Sequence, residues 1–156
     1  MNGLKMSRRK LTNLIVIDST ETKPNSDITI RDVDEWHRIA GRLKVGYHFF
    51  IRRDGLIEVG RNLNEVGAHT KEHNADSVSV CLAGGLNTRG VVAPDYGKPQ
   101  IESLFTLVLT LTYMYPNATV VGHRDLSKTE NPSFNVKEWW KDNSENCGLL
   151  KHKLRG

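Results

Sequence analysis

Hydrophobic and polar positions fall into alternating blocks along this chain. Residues 13–17, Asn-Leu-Ile-Val-Ile, are the continuous β-branched run of a strand buried on both faces, and polar residues 18–22 end it. Thr29, with Asp32 three residues on, reads as a capping-box variant. It opens a helix whose Val33, Trp36, His37 and Ala40 recur at helical spacing and should pack on a sheet. Residues 41–46 return the chain to a strand over 47–52, Asp54-Gly55 signals a tight turn, and 56–59 completes a hairpin. A long loop, 60–76, precedes a second buried strand at 77–83, stopped by Gly84-Gly85, and 86–98 is a polar excursion. Pro99 suits the first turn of a helix with Ile101, Leu104, Phe105, Val108, Leu111 and Tyr115 as its core stripe. Pro116-Asn117 ends it, 119–121 is a last strand, and Asn135 caps a short helix containing Trp139 and Trp140. The order β-α-β-β-β-α-β-α predicts an α/β fold, a single domain with a mixed central β-sheet flanked by helices.

Composition bounds the picture without changing it. At 156 residues, 38% apolar and 26% charged, the chain is an ordinary globule large enough for a multilayer core. Its longest apolar-rich stretch, 104–115, is too short and too interrupted by Thr to span a bilayer, so no membrane partner is expected. Residues 1–10 are basic but lack the apolar segment of a secretory signal, which predicts a cytoplasmic location. Cys81 and Cys147 do not make a disulfide framework and read as free thiols. A formal charge of +4 favours anionic partners. Much of the excess sits at the ends, in Lys5, Arg8, Arg9, Lys10, Lys151, Lys153 and Arg155. The expectation is therefore two solvated basic tails, 1–12 and 144–156, framing a domain over 13–143; this charge leaves nucleic acid open without marking a surface for it.

Candidate chemistry concentrates in residues 119–135. Gly122 breaks the last strand, His123 stands at its mouth, and a polar loop leads to Asn131-Pro132-Ser133-Phe134. A histidine at a strand end, eight residues before a second liganding position, is one way to build a shallow metal site, but Asn131 stands where a thiolate or carboxylate would be wanted. The long loop carries His69 and His73. His48 should point away from Tyr47 by strand alternation, and His37 faces its helix's packing side. Ser127 and Ser133 lack the strained turn of an activated nucleophile, and Cys81 lies in a strand pattern.

Gly122-His123-Arg124-Asp125 and Pro132-Ser133-Phe134 belong to a longer series. With them go Thr22-Lys23-Pro24, Trp36-His37, Val45-Gly46-Tyr47-His48, Arg53-Asp54-Gly55 and Val66-Gly67-Ala68-His69, then His73-Asn74, Ser79-Val80-Cys81-Leu82 and Gly84-Gly85. Over residues 13–141 these resemble the zinc N-acetylmuramoyl-L-alanine amidases of the small phage-lysozyme type, relatives of the peptidoglycan recognition proteins. The resemblance implies their fold. It also implies ligand positions at the end of the first strand, after the last strand and in the final loop, which here are Asp18, His123 and Asn131. Tyr47 matches the assisting tyrosine, and Thr129 takes the place of the assisting lysine, with Lys128 beside it.

A carboxylate is a normal zinc ligand, whereas a neutral amide offers a borderline-soft cation no charge. The expectation is a degraded metal site: no cofactor, no catalytic residue in force, and Tyr47 and Thr129 vestigial. Without metal, Asp18 and His123 make either a carboxylate–imidazole pair at the floor of a groove or a buried hydrogen bond in place of the metal. The resemblance then points to a pseudoenzyme that binds and does not cleave, its ligand-binding residues being Asp18, Tyr47, His69, His123, Arg124, Lys128, Thr129 and Asn131. The ligand would be an anionic or amide-rich small molecule, peptidoglycan-like, or a host protein, and a phage-encoded inhibitor or sequestering protein fits. The alternative is an atypical zinc amidase that cleaves the lactyl-amide bond of peptidoglycan. A third reading, a metal-free hydrolase using Asp18 and His123 as acid and base, lacks an electrophile.

Overall fold

The computed structural model describes residues 6–147. The first β-branched run becomes β1 (Leu14–Ser19), and every element expected from the pattern follows in order. These are α1 (Ile30–Ile39), β2 (Phe49–Ile51), β3 (Ile57–Val59), β4 (Ser77–Leu82), α2 (Lys98–Met114), β5 (Thr119–Gly122) and α3 (Val136–Asn146). The five strands stand in the order β3-β2-β4-β1-β5. β1 pairs in parallel with β4 and β5, β2 in parallel with β4, and only the β2–β3 hairpin is antiparallel. With a parallel neighbour on each side and helices on both faces, β1 is buried from Ile15 to Ser19.

Strand alternation sorts the side chains into two layers. Ile15 and Ile17 of β1 join Val78, Val80 and Leu82 of β4 with Leu104, Val108 and Leu111 of α2 and Val136 of α3. Across the sheet, Phe50 and Cys81 pack with Val33 of α1, Val45 and Ala83. The fully buried Gln100 of α2 is not apolar, yet it belongs here. Its Nε2 donates to the carbonyls of Ile51 (3.1 Å) and Ala83 (2.7 Å), joining the ends of β2 and β4. The predicted cap of α1 is present, with Thr29 N–H donating to Asp32 Oδ2 at 2.8 Å, and Asn135 accepts from Glu138 N–H at the start of α3.

Three expectations need correcting. Only Val33 of the α1 stripe is buried, against Phe50 and Cys81; Trp36 is 42% exposed and Ala40 is exposed, because a ten-residue helix covers only a narrow strip of the sheet. Residues 6–12 are no solvated tail. Arg8 bridges Glu65, and Arg9 is buried, donating to the carbonyls of Leu63 and Glu65, to Thr12 Oγ1 and to the Tyr115 hydroxyl. Buried carbonyls that would otherwise be unpaired make this arginine part of the core. At the other end α3 runs to Asn146 with Ser144 buried, so 144–146 belong to the domain, while 148–156 lie outside the described residues. No helix among the described residues is long and apolar enough to cross a membrane.

Candidate functional site

β1 ends beside β4 on one side and β5 on the other, which places Asp18 and Ser19 at the carboxyl edge of the sheet, where open α/β sheets carry their ligands. A single 3-10 turn, His123–Asp125, starts directly after β5 and lowers His123 over that edge. Its Nδ1 lies 2.7 Å from Asp18 Oδ1. The carboxyl's second oxygen is buried with no hydrogen-bond partner among the described residues, 3.9 Å from His69 Nδ1. Burial pushes the Asp18 carboxyl up, with the His123 hydrogen bond opposing it, and that same bond pushes His123 up.

The loop after β3 reaches the same place. Gly46 lets it approach, since a Cβ there would stand 2.0 Å from the Ala68 carbonyl oxygen, and Ala68 N–H donates to Gly46 O at 3.0 Å. His69 follows, buried, and forms part of the floor. Ser77 Oγ spends its one proton on His73 O at 2.6 Å, so at 3.0 Å it accepts from His69 Nε2–H. Nδ1 of His69 is then the acceptor for the Thr70 hydroxyl at 3.1 Å, and that hydroxyl oxygen lies 3.3 Å from His123 Nδ1. A hydrogen-bonded row therefore runs from Asp18 through His123, Thr70 and His69 to Ser77. It leaves Nε2 of His123 as the ring nitrogen outside this row. Burial first, then neighbouring positive groups including Arg61 and Arg42, lowers His69 to about 3, so its ring is neutral.

Tyr47 and His48 are not divided between opposite sides as strand alternation suggests. β2 begins only at Phe49, and both rings approach His69, with centroids 6.5 and 6.4 Å away. Tyr47 is partly buried, packed against the cluster of Phe50 and Cys81, and its hydroxyl pKa is raised well above the usual value by desolvation. His48 is sealed in, accepting from Ser79 N–H at Nδ1 (3.1 Å) and bonded to Glu65 O at Nε2 (2.7 Å). His37 is half-buried and accepts from Gly46 N–H at Nδ1, 2.8 Å. Cys81 is fully buried, its thiol pushed well up, and it offers no nucleophile.

Asn131 sits beside Ser19. Its Oδ1 accepts from Ser19 N–H at 2.8 Å and its Nδ2 donates to Ser19 O at 3.0 Å, a two-bond pairing that imitates a neighbouring strand. Asn131 N–H donates to Thr129 Oγ1, and Arg124 N–H to Asn131 O, so Thr129 shapes the loop. Arg124 and Lys128 are exposed on it. The Asn131–Pro132 bond is cis, and Tyr96 Oη donates to Pro132 O at 2.6 Å. The structure thus gathers Asp18, Tyr47, His69 and His123 closely, with Asn131 and Thr129 one step behind on Ser19 and Arg124 and Lys128 at the rim. Thr70, Ser77 and Ser19 complete the network. Thr70 adjoins His69, but nothing in sequence ties Ser19 to residue 131.

A parallel-centred sheet with polar groups at the carboxyl end of β1 and a histidine after β5 defines an amidase-like α/β protein. Comparisons with known proteins agree. The sequence profile of the N-acetylmuramoyl-L-alanine amidases matches residues 8–134. The endolysin of Klebsiella phage KP32 is 37% identical over 143 residues, 92% of this chain and 95% of that protein. The Drosophila melanogaster peptidoglycan-recognition protein LB is 31% identical over 110 residues, 70% of this chain and 47% of that protein. Among solved structures, the N-acetylmuramoyl-L-alanine amidase LysC from Clostridium intestinale superposes with a TM-score of 0.78 at 29% identity, covering 90% of each chain. The chain belongs to the N-acetylmuramoyl-L-alanine amidase family.

Proposed function

We propose that this chain binds a peptidoglycan-type ligand in the groove over Asp18, Tyr47, His69 and His123 and holds it without zinc-dependent cleavage. Family membership and a relative named for peptidoglycan recognition support the ligand class. The observation that carries the absence of cleavage is the use already made of the three positions where the family holds its metal. Asp18 and His123 bond directly to each other, and Asn131, a neutral amide, has both ends engaged by the Ser19 backbone. No group of three His, Cys, Asp or Glu among the described residues is arranged to hold a metal. These residues do not fit a catalytic zinc centre, which needs three protein ligands and an open position. Tyr47, partly buried and neutral, packs against the floor, and His123 Nε2, Arg124 and Lys128 are left to meet polar and anionic parts of the ligand.

Kinship supports the other reading more strongly than this one. Relatives 36–37% identical across nearly the whole chain are named endolysins, so hydrolysis of the lactyl-amide bond is the activity the comparisons favour. One experiment separates the two. Purified protein is assayed for zinc by elemental analysis, for binding of a muramyl peptide by calorimetry, and for stem-peptide release from peptidoglycan with and without chelator. Saturable binding with no bound zinc and no chelator-sensitive release is expected. About one zinc per chain with robust, chelator-sensitive release would replace this reading with the enzymatic one.

A further inference from the structure

On the aliphatic face of the sheet, α2 and α3 leave a cleft of about 290 Å³ between them, lined by Ile101, Glu102, Phe105, Thr106, Trp139 and Asn143. Helical spacing gathers them: 101, 102, 105 and 106 share one face of α2, and 139 and 143 one face of α3. Ile101, Trp139 and Trp140 rest on the buried aliphatic cluster beneath. The rings also brace one another. Phe105 lies 5.9 Å from Trp140, Trp140 lies 6.1 Å from Trp139, and Phe134 meets Trp139 edge-on at 6.0 Å between centroids. The floor is therefore apolar, aromatic and held in place before anything binds.

The rim is polar, and it is mostly a rim of acceptors. Glu102, Thr106 and Asn143 are exposed around the half-buried rings. Asn143 Nδ2 donates to Trp139 O at 2.7 Å, and its Oδ1 has no partner among the described residues. The Thr106 hydroxyl spends its proton on Glu102 O at 3.2 Å and keeps its lone pairs. The Glu102 carboxylate meets Lys98 at 3.8 Å with both side chains mostly exposed, a weak contact in water. Donors come from the floor. Neither the Trp139 nor the Trp140 indole N–H has a hydrogen-bond partner among the described residues, and neither is sealed from solvent. No Lys, Arg or His lines the cleft, so an anion has nothing to meet there.

A ligand that matches this set has an apolar face for the rings, proton donors around its edge and no net charge. A pyranose ring has that form, with C–H groups on one face and hydroxyls around its equator. An acetamido group adds an N–H for the acceptor rim and a methyl for Ile101 and Phe105. Trp suits such a ring, being broad, rigid and apolar with one polar tip. The volume lies at the bottom of the range for small-molecule sites and takes one such ring.

We propose that the α2–α3 cleft is a saccharide site, in which one neutral N-acetylated hexosamine ring lies against Trp139 and Phe105 and gives its hydroxyl and amide protons to Glu102, Thr106 and Asn143. It is separate from the groove over Asp18 and His123. A glycan is held here whether or not that groove takes a peptide.

The probe is the trimer of N-acetylglucosamine, which carries neither peptide nor charge. It is titrated into the full-length protein while backbone amides and the indole N–H signals of the three tryptophans are followed by NMR. The Trp139 indole should shift saturably, while Trp36, on α1 across the sheet, stays unmoved. Replacing Glu102→Ala and Asn143→Ala together should weaken binding about tenfold, the loss expected for two hydrogen bonds. An unchanged melting temperature confirms that this variant folds, and the wild-type mapping decides by itself if it does not. Shifts confined to Ser19, Thr70 and His123 would put the sugar in the groove and overturn the cleft site. Absence of a saturable shift at Trp139, or full affinity in the folded double variant, would overturn it too. Muramyl-peptide binding, measured separately, stands or falls independently of these results.

Discussion

Along β1, Ile15 and Ile17 face one side of the sheet and Val16 and Asp18 the other, and along β4 Val78, Val80 and Leu82 are opposed to Ser77, Ser79 and Cys81. The first face is a continuous aliphatic cluster under α2 and α3. The second is just as buried, but it carries hydroxyls, a thiol and the rings of His48 and His69, whose ring nitrogens are paired, while Asp18 Oδ2 is left without a partner among the described residues. Small side chains on β4 leave the space into which those rings fit. The difference teaches where a site can form: close packing governs one face, hydrogen bonding the other, and only the second has polar groups that can exchange partners with a ligand.

The largest expected effect sets the polar face against acid. Burial lowers His48 to about 4 and His69 to about 3, so both rings are neutral in the fold and take up protons on unfolding below their ordinary value near 6.5. A depressed folded pKa gives stability that is complete above 6.5 and lost as the pH falls. Between pH 6.5 and 4 the loss should reach roughly 3 kcal/mol for each histidine. His123, raised by Asp18, works in the opposite sense, its contribution being full below 6.5 and lost as pH rises through its folded value. Urea midpoints across that range check the slope, and His69→Gln should flatten it. A pH-independent midpoint would mean the histidines are not sealed.

Leu82→Ala, on the aliphatic face, should cost about 3 kcal/mol through the cavity it opens, against about 1 kcal/mol for Ser79→Ala, which removes one partner of His48. Equal losses would erase the contrast between the faces. Next comes Asn131→Ala, expected to cost about 1–2 kcal/mol by leaving the Ser19 N–H and carbonyl unpaired. Hydrogen exchange at the Ser19 amide should quicken in that variant, and unchanged protection there would show that the Asn131 pairing does not hold the strand end. Smallest is Ile39→Ser on the outer side of α1, 79% exposed, where denaturation should shift by less than about 0.5 kcal/mol.

Much of this was legible in the chain. The β-branched run at 13–17, the Thr29–Asp32 cap and the Asn135 cap act through neighbours in sequence, and motif register put Asp18 and His123 in one place before their 2.7 Å contact was seen. What stayed hidden depends on distant backbone. Arg9 reads as part of a basic tail because its partners are two loop carbonyls and a hydroxyl 106 residues away. Asn131 reads in sequence as a neutral residue at a ligand position, while its pairing with Ser19, 112 residues distant, is visible only in the fold. Trp36 has helical spacing and still faces outward, since periodicity marks a face without saying how wide a strip the sheet covers.

The strand order carries a consequence for how the molecule is made. β1 pairs only with β4 and β5, so Leu14 must wait for Ser77 and Thr119. Until those residues leave the ribosome, α1 and the β2–β3 hairpin are the units upstream of β4 that local contacts can close, and the 14–17 run has no sheet to enter. Loop closure over such separations slows folding, and a bare β-branched segment is the part of a nascent chain most open to pairing with another copy. The strand that seats Asp18 is synthesised before α1 and the other four strands described here and secured only after β4 and β5 exist.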